Sequence, residues 1–382
     1  MTQRWPNARQ PDLAIAGAGI VGLALAAEGL RRGLRVTVVE RDARASGASV
    51  RNFGHGCITA QTGQAREYAL VARERWLSLR DAAGLWVREG GTVVAARSAQ
   101  ELAVLEEFVQ RQSDQAQVLT AAQVLTRVPV ASEGLLGGAF LPLDLQVDPR
   151  QATAALTSYL QRSGVEFAFG TSASGAETGV LFTSRGEVRA DAVVLAVGHD
   201  LDRLAPDLTA DAGMTRCSLH MLRVAAPGSQ PFGSALLTGT SLLRYSGFLA
   251  CPSSAALAAQ QSADHPALLA AGVNLMLTQQ PNGDLLIGDT HHYDQTPSPF
   301  AAEELDALLL REVQTLLGSG PLTVLERWRG VYASAPGREY LVATPAPGVR
   351  AVAVTSGIGM STALGLAPAV LAELLDNEAV SA

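Results

Sequence analysis

The sequence predicts an α/β protein of two interleaved domains, one built on a parallel sheet and the other inserted and built on an antiparallel sheet. Three observations support this. The chain has 382 residues, which is long for one simple core. Strand and helix patterns alternate in three separated regions. Between those regions lie segments in which apolar and polar residues alternate with the period of a half-buried strand.

The first α/β region is "LAIAGAGIVGLALAAEGLRRGLRVTVVERD", residues 13–42. Residues 13–16 and 35–39 are apolar runs typical of buried strands. Between them, apolar residues at helical spacing predict a helix that ends near Gly33, with a stripe made of Ile20, Leu23, Ala27 and Leu30. The region therefore predicts a strand–helix–strand unit with parallel strands.

The other two α/β regions lie in the middle and at the end of the chain. Asp148 and Pro149 predict the N-cap and first residue of a helix over residues 150–161, with a strand at 165–169. A buried strand in "ADAVVLAVGHD" stops at Gly198. Near the C-terminus, "RAVAVTSGIGMSTALGLAPAVLAELL" predicts a strand, a glycine turn and a helix kinked at Pro368.

These patterns set the predicted domain boundaries. Residues 11–85, 146–215 and 326–382 are assigned to the parallel-sheet domain, and residues 86–145 and 216–325 to the inserted domain. The second inserted segment contains "GVNLMLTQQPNGDLLIGDTHHYD", in which PNGD predicts a hairpin turn between two strands.

Composition and charge narrow the classes of function. A net charge of −7 argues against nucleic acid or an anionic membrane as a partner. No apolar run reaches membrane-spanning length, and the first twelve residues lack the apolar core of a secretory signal. Three widely spaced cysteines, Cys57, Cys217 and Cys251, fit a reducing compartment, so we expect a cytoplasmic protein. All 29 basic residues are arginines, which excludes Schiff-base catalysis by lysine.

A glycine motif follows the first predicted strand. Gly17, Gly19 and Gly22 begin the first helix with GxGxxG spacing, so the free N–H groups of the helix N-terminus can bind a pyrophosphate. Glu40 ends the second strand, 18 residues after Gly22, where a carboxylate accepts hydrogen bonds from ribose hydroxyls. A tight turn without a ligand is the alternative, but the strand, helix, return strand and acid together favour a dinucleotide site.

The residues after Glu40 favour FAD over NAD. An NAD domain continues through further strand–helix units, whereas this chain enters "RDARASGASVRNFGHG", a loop of small and polar residues suited to an extended cofactor. The C-terminal "TSGIGMST" begins a second helix, whose positive end would stabilise an anionic reduced flavin. We assign the cofactor contacts to Gly17, Gly19, Ile20, Val21, Gly22, Glu40, Arg41, Ala48, Ser49, Arg51, Asn52, Ala173, Gly198, Gly357, Gly359, Met360, Ser361 and Thr362.

Several stretches resemble a known superfamily over nearly the whole chain. The βαβ unit with Glu40, "ASVRN", "QVDPR" before a helix, "VVLAVGHD" and "GIGMST" resemble the glycine oxidase, sarcosine oxidase and D-amino acid oxidase superfamily of flavoproteins. The resemblance implies a D-amino acid oxidase-like fold, with a Rossmann-like FAD-binding domain of three segments. Within it, "RNFGHG", "CSLHMLRV", "GDTHHYDQTPSPF" and "RWRGVYAS" resemble FAD-dependent oxidoreductases associated with breakdown of 2-aminoethylphosphonate and related aminophosphonates.

The resemblance implies a reaction as well as a fold. It implies hydride transfer from the carbon beside an amine to flavin N5, leaving an imine that water hydrolyses. The implied substrate is a small anionic amine, most directly a 2-aminoethylphosphonate derivative such as its N-methyl form. An oxidase or dehydrogenase of glycine, sarcosine or a D-amino acid is the alternative enzyme. A flavin-binding protein with a regulatory, non-catalytic role is the alternative of another class.

Two departures from the superfamily pattern bear on the cofactor and on the electron acceptor. Sarcosine-oxidase-like members carry a flavin-linked cysteine in the segment corresponding to "VYASAPGREY"; this chain has none there, so we expect non-covalent FAD. Those members also place a lysine over the flavin to activate oxygen. Without a lysine, either a histidine or arginine takes that role or molecular oxygen is not the acceptor, so oxidase and dehydrogenase both stay open.

Two adjacent histidines are candidates for the substrate site. His291 and His292 precede Tyr293 in "GDTHHYD". Adjacent strand side chains point to opposite faces, so only one histidine can face a flavin cavity, and joint metal chelation is disfavoured; we assign no metal site. We assign His291 as a catalytic residue that binds a phosphonate oxygen or accepts the proton of a substrate ammonium, with His292 as a substrate-binding alternative. A purely structural role stays open.

Arginines are candidates for binding the anionic end of the substrate. Arg329 is the second catalytic candidate because a guanidinium matches a phosphonate or carboxylate in bidentate fashion. The alternative is a surface arginine beside Trp328. Arg223 lies in the apolar "MLRVAA", where an inward-facing arginine needs an anion. Arg244 and Arg338 rank below both.

Two further residues complete the predicted substrate site. Tyr332 would close over the substrate, although a tyrosine at a strand edge also packs without any role in binding. His55, on the loop after the glycine motif, would approach the flavin ring or, alternatively, face solvent.

Overall fold

The computed structural model describes residues 10–112 and 115–379, with side chains described as far as residue 375. Residues 1–9, 113–114 and 380–382 lie outside the described residues. The first of these ranges is part of the N-terminal stretch in which the sequence predicts no secretory signal. The described strands are β1 (Leu13–Ala16), β2 (Val36–Val39), β3 (His55–Gly56), β4 (Val87–Arg88), β5 (Thr92–Ala96), β6 (Gln117–Thr120), β7 (Gly137–Leu141), β8 (Leu145–Val147), β9 (Glu166–Ala168), β10 (Ala173–Glu177), β11 (Val180–Thr183), β12 (Gly186–Arg189), β13 (Ala192–Leu195), β14 (Thr215–Val224), β15 (Ala235–Leu237), β16 (Met276–Gln279), β17 (Leu285–Gly288), β18 (His292–Asp294), β19 (Val324–Ser334), β20 (Tyr340–Ala346) and β21 (Val349–Val354).

The helices connect these strands. They are α1 (Ile20–Arg31), α2 (Gly63–Ala83), α3 (Ala99–Gln112), α4 (Ala121–Arg127), α5 (Pro149–Arg162), α6 (Leu201–Leu204), α7 (Pro206–Asp211), α8 (Ser246–Leu249), α9 (Ser254–Asp264), α10 (Pro266–Ala270), α11 (Glu303–Leu317) and α12 (Gly359–Ala379). None of the described helices combines the length and the apolar composition needed to cross a bilayer.

The first sheet has six strands in the order β20-β21-β13-β1-β2-β9. β1 pairs in parallel with both β2 and β13, which confirms the predicted strand–helix–strand unit. β13 pairs in parallel with β21, and β20 is antiparallel to β21. Every residue of β1, β2 and β13 is buried, as expected of strands covered on both faces. The sheet therefore draws strands from the three regions that the sequence assigned to one domain.

The predicted start of α5 is present, and Pro368 lies inside the predicted C-terminal helix, where the kink stays a prediction. The Asp148 carboxylate accepts the backbone N–H groups of Arg150 and Gln151, at 2.9 and 3.2 Å, and Pro149 is the first residue of α5. These contacts satisfy N–H groups that have no partner within the helix. Pro368 lies inside α12, where its carbonyl oxygen accepts a hydrogen bond from the Arg32 guanidinium at 2.9 Å.

The second sheet has nine strands. Eight follow the order β18-β14-β17-β16-β15-β5-β7-β6, and β19 pairs with β14. The pairing is antiparallel except between β5 and β15, so the predicted antiparallel sheet is confirmed with one parallel exception. β16 and β17 form the predicted hairpin. Residues 326–334, which the sequence grouped with the first sheet, belong to β19 and thus to the second sheet.

A buried carboxylate joins two helices of the first domain. The Glu28 side chain on α1 is fully buried and pairs with Arg31, Arg32 and Arg75, the last of which lies on α2. Burial alone would raise the pKa of Glu28, but the hydrogen bonds from these guanidinium groups outweigh it and lower the pKa to about 2. The carboxylate thus stays ionised and links α1 to α2.

We expect Glu28→Gln to lower the free energy of unfolding by about 3 kcal/mol at pH 7, because it leaves three guanidinium groups, two of them half-buried or more, without their anion. The folded-state pKa lies below the ordinary value of 4.5, so this stabilisation is complete above that value and is lost as the pH falls towards 2. Urea unfolding of both proteins from pH 7 to pH 3 checks this. A difference in stability that grows on acidification would contradict it.

Candidate active site

A cavity of about 440 Å³ lies between the glycine turns of the first sheet and the face of the second sheet, within the usual size range of ligand pockets. At one end it reaches Glu40 and Arg41, after β2. At the other end it reaches Arg244, Asp289 and Tyr332, which the second domain contributes. One continuous cavity therefore connects the predicted nucleotide end to residues of the inserted domain.

The turn between β1 and α1 requires glycine for steric reasons. A Cβ on Gly22 would lie 1.9 Å from the carbonyl oxygen of Gly17, so α1 can approach the turn this closely only with glycine at position 22. Glu40 Oε2 accepts the N–H of Ala18 at 2.8 Å, and Ser49 Oγ accepts that of Ile20 at 2.8 Å. These contacts hold the carboxylate and the hydroxyl at the N-terminus of α1, in the wall of the cavity.

The second glycine turn, between β21 and α12, also lines the cavity. The Cys57 N–H donates to Ser361 Oγ at 2.9 Å, and the Trp76 indole donates to the carbonyl oxygen of Met360 at 2.9 Å. Gly357 lies next to Tyr332, whose ring would be 3.2 Å from a Cβ at position 357. The start of α12 is therefore fixed against the loop that follows the first glycine motif.

Most of the predicted cofactor contacts line this cavity. Gly22 and Thr362 do not: Gly22 provides the close approach within the turn, and the Thr362 hydroxyl donates to the Ile358 carbonyl oxygen at 3.0 Å. The cavity wall offers donors from two helix N-termini, a carboxylate at one end and polar loop residues between them. This arrangement fits an extended dinucleotide. The predicted contacts that line the cavity are Gly17, Gly19, Ile20, Val21, Glu40, Arg41, Ala48, Ser49, Arg51, Asn52, Ala173, Gly198, Gly357, Gly359, Met360 and Ser361.

The second domain contributes a guanidinium to the cavity wall. Arg244 Nη2 donates to the Tyr332 hydroxyl at 2.8 Å, and Nη1 donates to the Tyr293 hydroxyl at 3.3 Å. Within the part of the chain that the structure describes, Arg244 forms no ion pair with a carboxylate. Because a guanidinium stays charged at all physiological pH values, Arg244 gives this wall a positive charge, and Asp289 in the same wall is near enough to act on it.

The two adjacent histidines have different surroundings. His291 is 8% exposed and lines the cavity, whereas His292 is exposed and lies outside it. The difference follows from the opposite directions of neighbouring strand side chains. His291 therefore is the histidine of this pair that faces the cavity.

Arg329 does not reach the cavity, contrary to the role that the sequence suggested. It lies on β19 three residues before Tyr332, so the two side chains point to opposite faces of the strand. Its guanidinium instead donates to the carbonyl oxygens of Ser298 and Phe300. With Tyr332 on the cavity side, Arg329 faces away from the predicted substrate site.

Arg223 also lies outside the cavity. The sequence argument that it needs an anion holds, but the anions belong to the protein: Asp284 at 2.8 Å and Glu326 at 3.1 Å. This position ties the β16–β17 hairpin to β19. The assignment of Arg223 to substrate binding is therefore wrong in this structure.

His55 is 8% exposed and lines the cavity, so the interpretation of a solvent-facing loop residue is wrong. Its Nε2 lies 2.7 Å from Thr92 Oγ1 and 3.4 Å from Asp144 Oδ2. The ligand atoms of His55, Cys57 and Asp144 all lie within 4.8 Å of one another. Burial raises the pKa of the Cys57 thiol.

Several cavity residues were not found from the sequence. Asp289 precedes His291 by two positions, which places both on one face of an extended segment, and this spacing was the available signal. Near Glu40, polar residues after buried strands were also missed. They include Thr171, Ser172, His199, Asp200 and Arg203, and the second domain adds Tyr245, Asn274 and Met276.

Comparison with known proteins decides the family. The family model described as "FAD dependent oxidoreductase" (DAO) matches residues 12–374, nearly the whole chain. The chain belongs to the DAO family of FAD-dependent oxidoreductases. This confirms the resemblance to the amine-oxidising flavoprotein superfamily and the assignment of FAD, although it does not reach the aminophosphonate subgroup.

Individual relatives of this DAO-family protein are distant. A tRNA 5-methylaminomethyl-2-thiouridine biosynthesis bifunctional protein from Chromohalobacter salexigens is 29% identical over 211 residues, covering 53% of this chain and 30% of that protein. A D-amino acid dehydrogenase from Helicobacter pylori is 26% identical over 152 residues, covering 35% of each chain. The chain thus spans about a third of the length of these two curated relatives.

The fold comparison covers more of the chain. Glycine oxidase from Geobacillus kaustophilus superimposes with a TM-score of 0.77 at 21% identity, covering 97% of this chain and 95% of that one. The two proteins therefore share their fold over nearly the whole of this chain.

Proposed function

We propose that this protein oxidises a C–N bond in a small anionic amine, with non-covalently bound FAD as the cofactor and a 2-aminoethylphosphonate derivative, such as the N-methyl form, as the preferred substrate. The observation that carries the proposal is the charged Arg244 side chain in the cavity wall, which is hydrogen-bonded to Tyr332 at 2.8 Å and forms no ion pair with a carboxylate among the described residues. Bound FAD would supply the oxidant for the carbon beside nitrogen.

The donors around Arg244 support a phosphonate. A carboxylate is satisfied by two coplanar N–H groups of one guanidinium, whereas a phosphonate has three oxygens in a tetrahedral arrangement. The Tyr332 hydroxyl lines the cavity and accepts a hydrogen bond from Arg244, so its O–H can donate to a third oxygen. Tyr293, the other acceptor of Arg244, does not line the cavity.

The residues at the nucleotide end would hold the cofactor. The N–H groups at the start of α1 would bind the diphosphate, and Glu40 the ribose hydroxyls. The start of α12, which lies beside Tyr332, would meet the flavin ring. This arrangement puts the ring and the anion-binding residues at the same end of the cavity.

The alternative substrate is a glycine, sarcosine or D-amino acid. The names of two relatives favour it, a glycine oxidase and a D-amino acid dehydrogenase. In that alternative Arg244 binds a carboxylate instead of a phosphonate. The electron acceptor, molecular oxygen or another, is not part of the proposal.

A comparison of substrates tests the proposal. We expect kcat/KM for N-methyl-2-aminoethylphosphonate to exceed that for sarcosine, glycine and D-alanine by about tenfold or more. N-methylethanolamine, which lacks the anionic group, is the control and should be poorer by about 100-fold. Anaerobic bleaching of the bound flavin reports the same preference without any electron acceptor. Faster bleaching by the carboxylates would replace the phosphonate with an amino acid.

A further inference from the structure

Asp289 and His291 lie together in the cavity wall that also contains Arg244. Their side chains are buried, and His291 Nε2 is 3.7 Å from Asp289 Oδ2. Asp289 Oδ1 is buried and has no hydrogen-bond partner among the described residues. An unpartnered buried carboxylate oxygen is costly, which favours the protonated carboxyl group.

The tautomer of His291 follows from its other nitrogen. Nδ1 lies 2.8 Å from the carbonyl oxygen of Gly272, which only accepts, so Nδ1 carries the proton and Nε2 presents a lone pair. Gly272 has φ +58°, and a Cβ there would lie 2.6 Å from the His291 carbonyl oxygen, so this contact requires glycine. Burial, with a smaller contribution from Arg244, lowers the pKa of His291 to about 3, so the ring is neutral.

Asp289 behaves differently. Burial raises its pKa to about 7, and Arg244 counteracts part of this increase. The other titratable groups that act on Asp289 or face it are His291, Tyr245 and Cys217, and burial raises the pKa values of Tyr245 and Cys217. All three are therefore neutral near pH 7, which leaves Arg244 as the charged neighbour among the described residues.

We infer that Asp289, with the lone pair of His291 Nε2 beside it, forms the subsite for the substrate nitrogen and removes a proton from the substrate ammonium. The N–H bond breaks and its electron pair stays on nitrogen, while the proton forms an O–H bond on Asp289. The resulting neutral amine has the lone pair that oxidation of the adjacent carbon requires. The inference rests on the proposed function, in which Arg244 holds the opposite, anionic end of the substrate.

The test compares the FAD-loaded wild type with Asp289→Asn, which keeps the shape of the side chain but cannot accept the proton. Anaerobic flavin bleaching by N-methyl-2-aminoethylphosphonate is followed from pH 6 to pH 10. In the wild type, the bimolecular rate constant of reduction should rise with an apparent pKa near 7. Asp289→Asn should be about 100-fold slower at pH 7 and should recover as the free amine becomes abundant. Asp191→Asn, an exposed carboxylate, is the control and should match the wild type.

The outcomes separate the inference from the proposed function. If the amine reduces the wild type and the rate constant of Asp289→Asn at pH 7 lies within about threefold of the wild-type value, the subsite is overturned and the proposed function stays intact. A wild type that no amine reduces overturns both. Infrared spectroscopy of the FAD-loaded wild type gives a readout independent of activity and of the stability of the variant. A protonated-carboxyl band that titrates near neutral pH supports the inference, and its absence contradicts it.

Discussion

Arg244→Ala is expected to lower kcat/KM for the anionic amine by about 100- to 1,000-fold, with flavin content unchanged. The reason is that the variant removes the charge that binds the substrate anion and leaves the two tyrosine hydroxyls without their donor. The loss should appear mainly in KM if the anion is held equally in the ground and transition states. Steady-state kinetics with N-methyl-2-aminoethylphosphonate, together with the flavin absorbance of the purified variant, measures both effects.

Arg329→Ala is the matched control for this experiment. This variant also removes one arginine charge, at a position that the sequence suggested for anion binding. The Arg329 guanidinium, however, contacts backbone carbonyl groups outside the cavity. We expect kcat/KM to change by less than about threefold. If Arg329→Ala proves as damaging as Arg244→Ala, the assignment of the anion site to Arg244 is wrong.

Gly22→Ala is expected to abolish FAD retention and to destabilise the protein by about 3 kcal/mol. The added Cβ would lie 1.9 Å from the Gly17 carbonyl oxygen, so α1 must move away from the turn that positions its N–H groups. The flavin absorbance after purification and the thermal midpoint measure the two effects.

Gly320→Ala provides the corresponding control. Gly320 is exposed, does not line the cavity and has no atom within 4 Å of the point that a Cβ would occupy, so the same addition costs nothing sterically. Its flavin content and midpoint should equal those of the wild type. A Gly22→Ala protein that is as yellow and as stable as Gly320→Ala would mean that the turn does not determine cofactor binding.

The nucleotide end of the cavity could be predicted from the sequence because its signals are local. The run of glycines, the helical stripe in α1 and the position of Glu40 at the end of β2 all lie within one short stretch of chain. The Asp148 cap and the β16–β17 hairpin were found for the same reason: a cap and a two-strand turn depend on neighbouring residues. Local geometry fixes these features before any long-range packing is known.

The substrate end could not be predicted in the same way, since it depends on how distant strands align. Whether Arg329 or Tyr332 faces the cavity is decided by the register of β19 on β14, in which Tyr332 pairs with Cys217 and Arg329 with His220. Arg223 lies on β14, whereas its anions Asp284 and Glu326 lie in the β16–β17 turn and on β19. The sequence suggested several arginines for the anion, but only the structure shows that Arg244 lines the cavity, whereas Arg329 and Arg223 do not.

A crystal structure of the FAD-loaded protein with N-methyl-2-aminoethylphosphonate, prepared without an electron acceptor, tests the central claim most directly. The account predicts the phosphonate on Arg244 and Tyr332, the nitrogen towards Asp289, and the carbon beside nitrogen against the flavin ring. An anion bound elsewhere in the cavity, with Arg244 still hydrogen-bonded only to tyrosines, would contradict it.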